Sequence, residues 1–175
     1  MAYIELPDVE TVDEPIKKQF EKVKAFTGEI GELVRILAIR PDILDMTNQM
    51  VKTLLFSQSE LDINTKEYIA ILVSLENGCT MCVGEHERIA KLLGIPEEHI
   101  NKIKEGFESA DLQETERELL RFCIKTAKES YKVTDEDFDR LRKAGYSDSQ
   151  LLEAVALVSY FNYINTISNA MGVDK

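Results

Sequence analysis

Residues 77–86 read Asn-Gly-Cys-Thr-Met-Cys-Val-Gly-Glu-His. Cys79 and Cys82 stand three apart, and His86 follows Cys82 by four. Such a set admits three readings: a dithiol that cycles through a disulfide, a metal site, or two core thiols beside a core imidazole. On a helix turning 100° per residue, the three side chains fall within about 60° of one another. Ala90 and Leu93 continue that stripe, while Glu85, Glu87, Arg88 and Lys91 make up a polar side. The thiols and the imidazole are therefore expected to face neighbouring helices. Both cysteines are expected in the first turn, where free N–H groups and the positive dipole end favour a thiolate. His86, one turn beyond Cys82, can take or give a proton. A structural zinc site takes four ligands, and this segment offers three. The other soft candidates, His99 and Cys123, belong to other predicted helices. No metal and no cofactor is expected.

Glu67 precedes Cys79 by twelve residues, on a largely apolar stretch. As the third residue after Asn64 it can close a helix-capping box. Buried beside a dithiol, it could instead accept and return protons. Both readings stand at this point.

The elements that must position these residues are helical nearly throughout. Apolar spacings of three and four, with Pro before and Gly after, predict helices over residues 15–26, 31–39, 42–56, 65–76, 79–93, 96–107, 114–131, 134–143 and 147–171. The run over 65–76 is apolar almost continuously, which predicts burial on most sides. Residues 147–171 are apolar on more than one face, so that helix is either the core of the fold or shared with another subunit. Strand signals are confined to Tyr3-Ile4-Glu5-Leu6, four alternating residues before a proline. A thioredoxin-type CxxC follows a strand; here a predicted helix precedes it, which excludes that fold. A faint repeat relates Thr65-Lys66-Glu67 to Thr115-Glu116-Arg117-Glu118, and the segment from Gly94 to that from Gly145. It suggests two related helical halves, of which the first alone carries the cysteines and His86. The expected organisation is one all-α domain over residues 1–175: N-terminal helices 15–56, a CxxC-bearing half 57–110 and a scaffold half 111–175.

Composition narrows the function classes. The 175 residues carry a net charge of −11, which argues against nucleic acid and anionic membranes as partners. No apolar run has the length of a membrane span, and the acidic N-terminus does not read as a signal peptide. Three cysteines, an odd number, do not form a secreted disulfide framework. The expected location is the cytoplasm, where CxxC more often serves redox or metal chemistry.

The pattern Glu67-x11-Cys79-x2-Cys82-x3-His86 resembles the active-site pattern of AhpD-like alkylhydroperoxidases, in the carboxymuconolactone decarboxylase superfamily. The segments AYIELP at 2–7, RPDIL at 40–44, ERELLRF at 116–122 and the stretch 133–173 also resemble its peroxidase-related branch. The resemblance covers nearly the whole chain. It implies an all-α AhpD-like helical bundle, a peroxide substrate, a dithiol or thiol-protein reductant, and a homo-oligomer, commonly a trimer or hexamer. It implies Cys82 as the thiol that attacks peroxide, Cys79 as the resolving thiol, and Glu67 with His86 as a proton relay. Met81 departs from many relatives, which carry an aromatic or a histidine there. Two other functions remain compatible with the residues. One is a non-redox lyase or decarboxylase using Glu67 and His86 as acid and base; the other is a redox-sensing helical module that forms its disulfide without turnover.

Overall fold

The structure, a computed structural model, describes residues 2–57 and 59–173. Among them are nine α-helices: α1 (Glu14–Thr27), α2 (Glu32–Ala38), α3 (Pro41–Val51), α4 (Ile63–Glu76), α5 (Thr80–Leu92), α6 (Glu97–Gly106), α7 (Glu114–Glu129), α8 (Asp135–Lys143) and α9 (Asp148–Met171). No strand occurs among the described residues, so the all-α expectation holds and the alternation at Tyr3 to Leu6 has no strand behind it. The helix expected over 42–56 changes character at Lys52, where wider π-type turns run to Phe56. No described helix is long and apolar enough to cross a membrane.

The chain forms two compact units. One comprises the residues up to Thr53 together with those from Ile167 onward; the other spans Leu54–Thr166. In the first, Asn48 of α3 donates to Gln19 of α1 at 3.0 Å, and the Arg35 guanidinium of α2 donates twice to the Pro7 carbonyl, at 3.0 and 2.9 Å.

The second unit is built around α4. Ten successive residues, Thr65 to Ser74, are buried. A helix apolar all round gains most from contact on every side, and α4 packs against α5, α6 and α7. Its four buried polar residues each have a partner. The Thr65 hydroxyl donates to Glu116 of α7, and Lys66 Nζ lies 2.7 Å from Glu153 of α9 and donates to the Leu54 carbonyl at 2.6 Å. Glu67 meets His86 of α5, and the Ser74 hydroxyl accepts from Asn165 of α9. Burial pushes the Glu153 carboxyl up, but Lys66 and the Ser59 hydroxyl outweigh it and hold the group below its ordinary range. Helix α9 buries Leu151, Ala154, Leu157, Val158 and Phe161, so much of its apolar surface is core, while Leu152 is 70% exposed.

Helix-end chemistry repeats along this unit. α5 and α8 both end at a glycine of positive φ, Gly94 at 86° and Gly145 at 102°. After each, the next amide reaches back to the helix: Ile95 to the Ala90 carbonyl at 3.0 Å, Tyr146 to the Leu141 carbonyl at 3.1 Å. This is the Schellman pattern, which an L side chain would strain at the glycine. The resemblance between the Gly94 and Gly145 segments thus has a common capping geometry. At its other end α8 carries a capping box between Thr134 and Asp137.

Two outcomes follow. Lys66→Ala removes a buried cation from the half-buried Glu153 carboxylate and is expected to lower stability by about 2–3 kcal/mol, read by urea unfolding; Lys66→Met combined with Glu153→Leu recovers most of that loss. Asp137 is also buried, and burial pushes its carboxyl up, yet Lys125, the Thr134 amide and Arg140 bring it down to about 2. A carboxyl depressed in the folded state stabilises fully above its ordinary range and loses that contribution as pH falls through about 2. Asp137→Asn should therefore remove about 1–2 kcal/mol at neutral pH. It should also flatten the decline in stability on acidification below about pH 4.

Candidate functional site

Three helices of the second unit converge on one buried cluster. α4 contributes Glu67, 2% exposed; α5 contributes Cys82 and His86, 5% and 9% exposed, with Cys79 at its N-cap, 1% exposed. α9 contributes Phe161, whose ring meets that of His86 edge-on at 4.9 Å. Cys79 and Cys82 form a disulfide, their Cα atoms 5.3 Å apart. His86 Nδ1 lies 2.7 Å from Glu67 Oε2.

Local sequence accounts for much of this. α4 ends at Glu76, and Asn77, Gly78 and Cys79 make the whole connection to α5. Gly78 turns the chain at φ 64°, a conformation natural to glycine. The Cys79 amide donates back to the Ser74 carbonyl at 2.9 Å, and the Cys79 carbonyl accepts the Val83 amide at 3.0 Å. Cys79 is thus the N-cap with extended backbone (φ −93°, ψ 90°), rather than a residue of the first turn as expected. Cys82 is the third helical residue, within the turn whose amides have no intrahelical acceptor.

The two readings of Glu67 are now separable. Asp62 caps α4, its carboxylate accepting the Asn64 amide at 2.8 Å, so Asn64 lies inside the helix and closes no capping box. Glu67 instead points into the core. A buried carboxylate needs a partner that compensates its charge or its hydrogen-bonding capacity, and His86 is that partner. With a Glu67 carboxylate as acceptor, Nδ1 carries the hydrogen and Nε2 holds the lone pair, so the ring can exchange a proton on the side away from Glu67.

The structure therefore brings Cys79, Cys82, His86 and Glu67 together and leaves the other soft residues elsewhere. His99 packs against the Tyr68 ring at 5.4 Å. Cys123 is buried within α7, where burial pushes its thiol up. Met81 is half-buried and has no titratable group to lend. Among the described residues, no group of three or more His, Cys, Asp and Glu is arranged to hold a metal ion. Sequence reasoning missed the amides around the turn. Asn77 donates to Asn162 at 2.8 Å and to Asn165 at 3.0 Å. The available signal was Asn165 itself, an amide four residues after Phe161 on the apolar stripe of α9.

The chain has recognisable relatives. The sequence model of the family described as PA26 p53-induced protein (sestrin) matches residues 2–175. The uncharacterized protein YdfG of Bacillus subtilis (strain 168) is 32% identical over 116 residues, 66% of this chain and 78% of its own. Among solved structures, the alkylhydroperoxidase AhpD core of an uncharacterized peroxidase-related protein from Ralstonia eutropha JMP134 superposes with a TM-score of 0.91 at 23% identity, covering 98% of this chain and 90% of that one. An uncharacterized peroxidase-related protein from Silicibacter sp. TM1040 gives 0.90 at 22%, with coverage of 98% and 90%. The debrominase Bmp8, in complex with 2,3,4-tribromopyrrole, gives 0.84 at 19%, with coverage of 98% and 92%. These structures share the fold and carry more than one named activity. With its match running from residue 2 to the end, the chain belongs to the PA26 p53-induced protein (sestrin) family, and its all-α fold is that of the AhpD-like proteins.

Proposed function

We propose that this protein is a thiol-dependent peroxidase or disulfide reductase that cycles Cys79 and Cys82 between dithiol and disulfide. One observation carries the reading: the Cys79–Cys82 disulfide is buried on the helix face that also bears His86, and His86 is bonded at 2.7 Å to the buried Glu67. A core that needed only two thiols and an imidazole would not have to bury a carboxylate beside them.

The cycle balances as follows. His86 takes the Cys82 thiol proton at Nε2, and the resulting thiolate attacks one peroxide oxygen and breaks the O–O bond. Cys82 becomes a sulfenic acid, and the alcohol or water leaves after taking a proton from His86. The Cys79 thiol then attacks the sulfenic sulfur, forming the disulfide and releasing water. An external dithiol returns two electrons and two protons by thiol–disulfide exchange. Cys82 is assigned the attack because His86 stands one helical turn beyond it, whereas Cys79 lies ahead of the first turn. Glu67 holds the imidazole tautomer and balances the charge that His86 acquires. The reading includes a cytoplasmic location, where thiol reductants are maintained, and a dithiol or thiol protein as partner. The same reading includes a homo-oligomer, a trimer or a multiple of it, in which a second subunit adds shielding from water.

Cys82→Ser and Cys79→Ser are the first variants to assay, by peroxide consumption and by dithiol-dependent disulfide reduction. Cys82→Ser should abolish peroxide turnover; Cys79→Ser should stop it after a single oxidation. If both variants match wild type in both assays, the redox reading fails. A wild-type protein that consumes one equivalent of peroxide and no more is a sensor rather than a peroxidase. Activity on a lactone that survives alkylation of both thiols would mark a lyase. His86→Gln should reduce peroxide turnover on the order of 100-fold, with Glu67→Gln intermediate. Light scattering at micromolar concentration should give a mass of a multiple of the 19.9 kDa chain; a monomer mass rejects the oligomer.

A further inference from the structure

The turn that delivers Cys79 is clamped by side-chain amides from α9. Asn165, 0% exposed, makes two bonds there: its Nδ2 donates to the Ser74 hydroxyl at 3.1 Å, and its Oδ1 accepts from Asn77 Nδ2 at 3.0 Å. Those two residues control the approach to Cys79. The Ser74 carbonyl holds the Cys79 amide at 2.9 Å, and Asn77 is the C-cap of α4, two residues before Cys79. Asn162 adds a second acceptor for Asn77 at 2.8 Å and itself donates to the Ala127 carbonyl of α7 at 3.3 Å.

We propose that Asn165 is a positioning residue for the dithiol: through Ser74 and Asn77 it holds the Cys79 backbone in place against Cys82, and so sets how strongly the pair prefers the disulfide. The proposal rests on the redox reading of the site. Cys82 is held by α5 itself, because it lies inside the helix. Cys79 is held only in part: its carbonyl accepts the Val83 amide at 3.0 Å, but its Cβ can swing about its own Cα–C bond unless its amide is also anchored, as it is on the Ser74 carbonyl. Gly78, just before that amide, has the wide torsional freedom of glycine, so the turn by itself does not fix the direction of the Cys79 side chain once the disulfide opens. The amide clamp supplies that restraint from a rigid, buried helix. A thiol held next to its partner has a high effective concentration, which favours ring closure both from the dithiol and from the sulfenic acid. Removing the clamp lets Cys79 move away in the reduced state, and the disulfide becomes easier to reduce.

The equilibrium to measure is disulfide plus two glutathione thiols giving two cysteine thiols plus glutathione disulfide, a transfer of two electrons and two protons. The protein is equilibrated in glutathione redox buffers, and the reduced fraction is read by alkylation and mass spectrometry. Asn165→Ala should shift the equilibrium about tenfold toward the dithiol, which is about 30 mV for a two-electron couple. Ser74→Ala, which removes only one arm of the clamp, should shift it about threefold. Asp137→Asn, destabilising but on α8 and outside the clamp, should stay within about twofold of wild type. A shift of more than about twofold toward the dithiol in Asn165→Ala, with the control unmoved, supports the proposal. A smaller or opposite shift, or a control that moves as far, overturns it. Should Asn165→Ala fail to fold, Ser74→Ala decides by the same twofold criterion. The measurement does not use peroxide: a wild type with a well-behaved couple but no peroxide turnover removes the proposed function and leaves the clamp intact.

Discussion

The burial of α4 is the constraint on which the rest of the second unit depends. A helix enclosed on every side cannot leave a polar group facing water, so each one it carries must be answered from a neighbouring helix. Thr65, Lys66, Glu67 and Ser74 are answered from α7, α9, α5 and α9 in turn. Apolar packing is non-directional and tolerates sliding. Four polar pairs on successive faces do not, because a shift of one residue along α4 would strand all of them. The same helix that fills the core thus fixes the register of its neighbours, and the chemistry of Glu67 is one of those registers.

The Cys79–Cys82 pair inherits its placement from this arrangement. Only three residues separate α4 from α5, so the N-terminus of α5, with its free amides, has little freedom in where it points. Cys82 sits in that first turn and His86 one turn deeper, where the ring finds Glu67 on one side and the edge of Phe161 on another. A carboxylate–imidazole pair, a helix N-terminus and two sulfurs are thereby gathered without any long loop. The adjacent ion pair between Lys66 and Glu153 performs no step in the proposed cycle; it neutralises a second buried charge one residue from the first. Buried pairs of this kind add little net stability relative to apolar replacements. In α4 their use lies in specifying which residue faces which helix.

Fold alone does not select the chemistry. The solved structures that share this architecture include peroxidase-related proteins and a debrominase, and a common scaffold routinely hosts different reactions. What a given chain can do depends on the side chains that the scaffold brings together, here at the convergence of α4, α5 and α9. In this chain that set includes a disulfide and a buried carboxylate–imidazole pair, and Met81 contributes no titratable group between the cysteines.

Much of this was legible in the sequence wherever a single helix carries the information. Rise and turn fix how residues on one helix are related, so the common face of Cys82 and His86, the burial of α4 and the glycine ends of α5 and α8 could be read from spacing. Cys79 was misjudged by one position, because the bond back to Ser74 belongs to the junction of two helices rather than to either. The spacing left Glu67 divided between a cap and a partner for the dithiol. Asp62 took the capping role, and His86, nineteen residues away, took the carboxylate. Asn165 was visible as an amide in an apolar stripe, yet its partners Ser74 and Asn77 lie 91 and 88 residues off. Such contacts depend on how several helices pack at once, and no period along the chain encodes that. The periodic, short-range half of the site was therefore determined by the sequence itself, while the pairing of charges and amides across helices was decided only by the tertiary fold, where a buried polar group must find whichever partner the packing brings within reach.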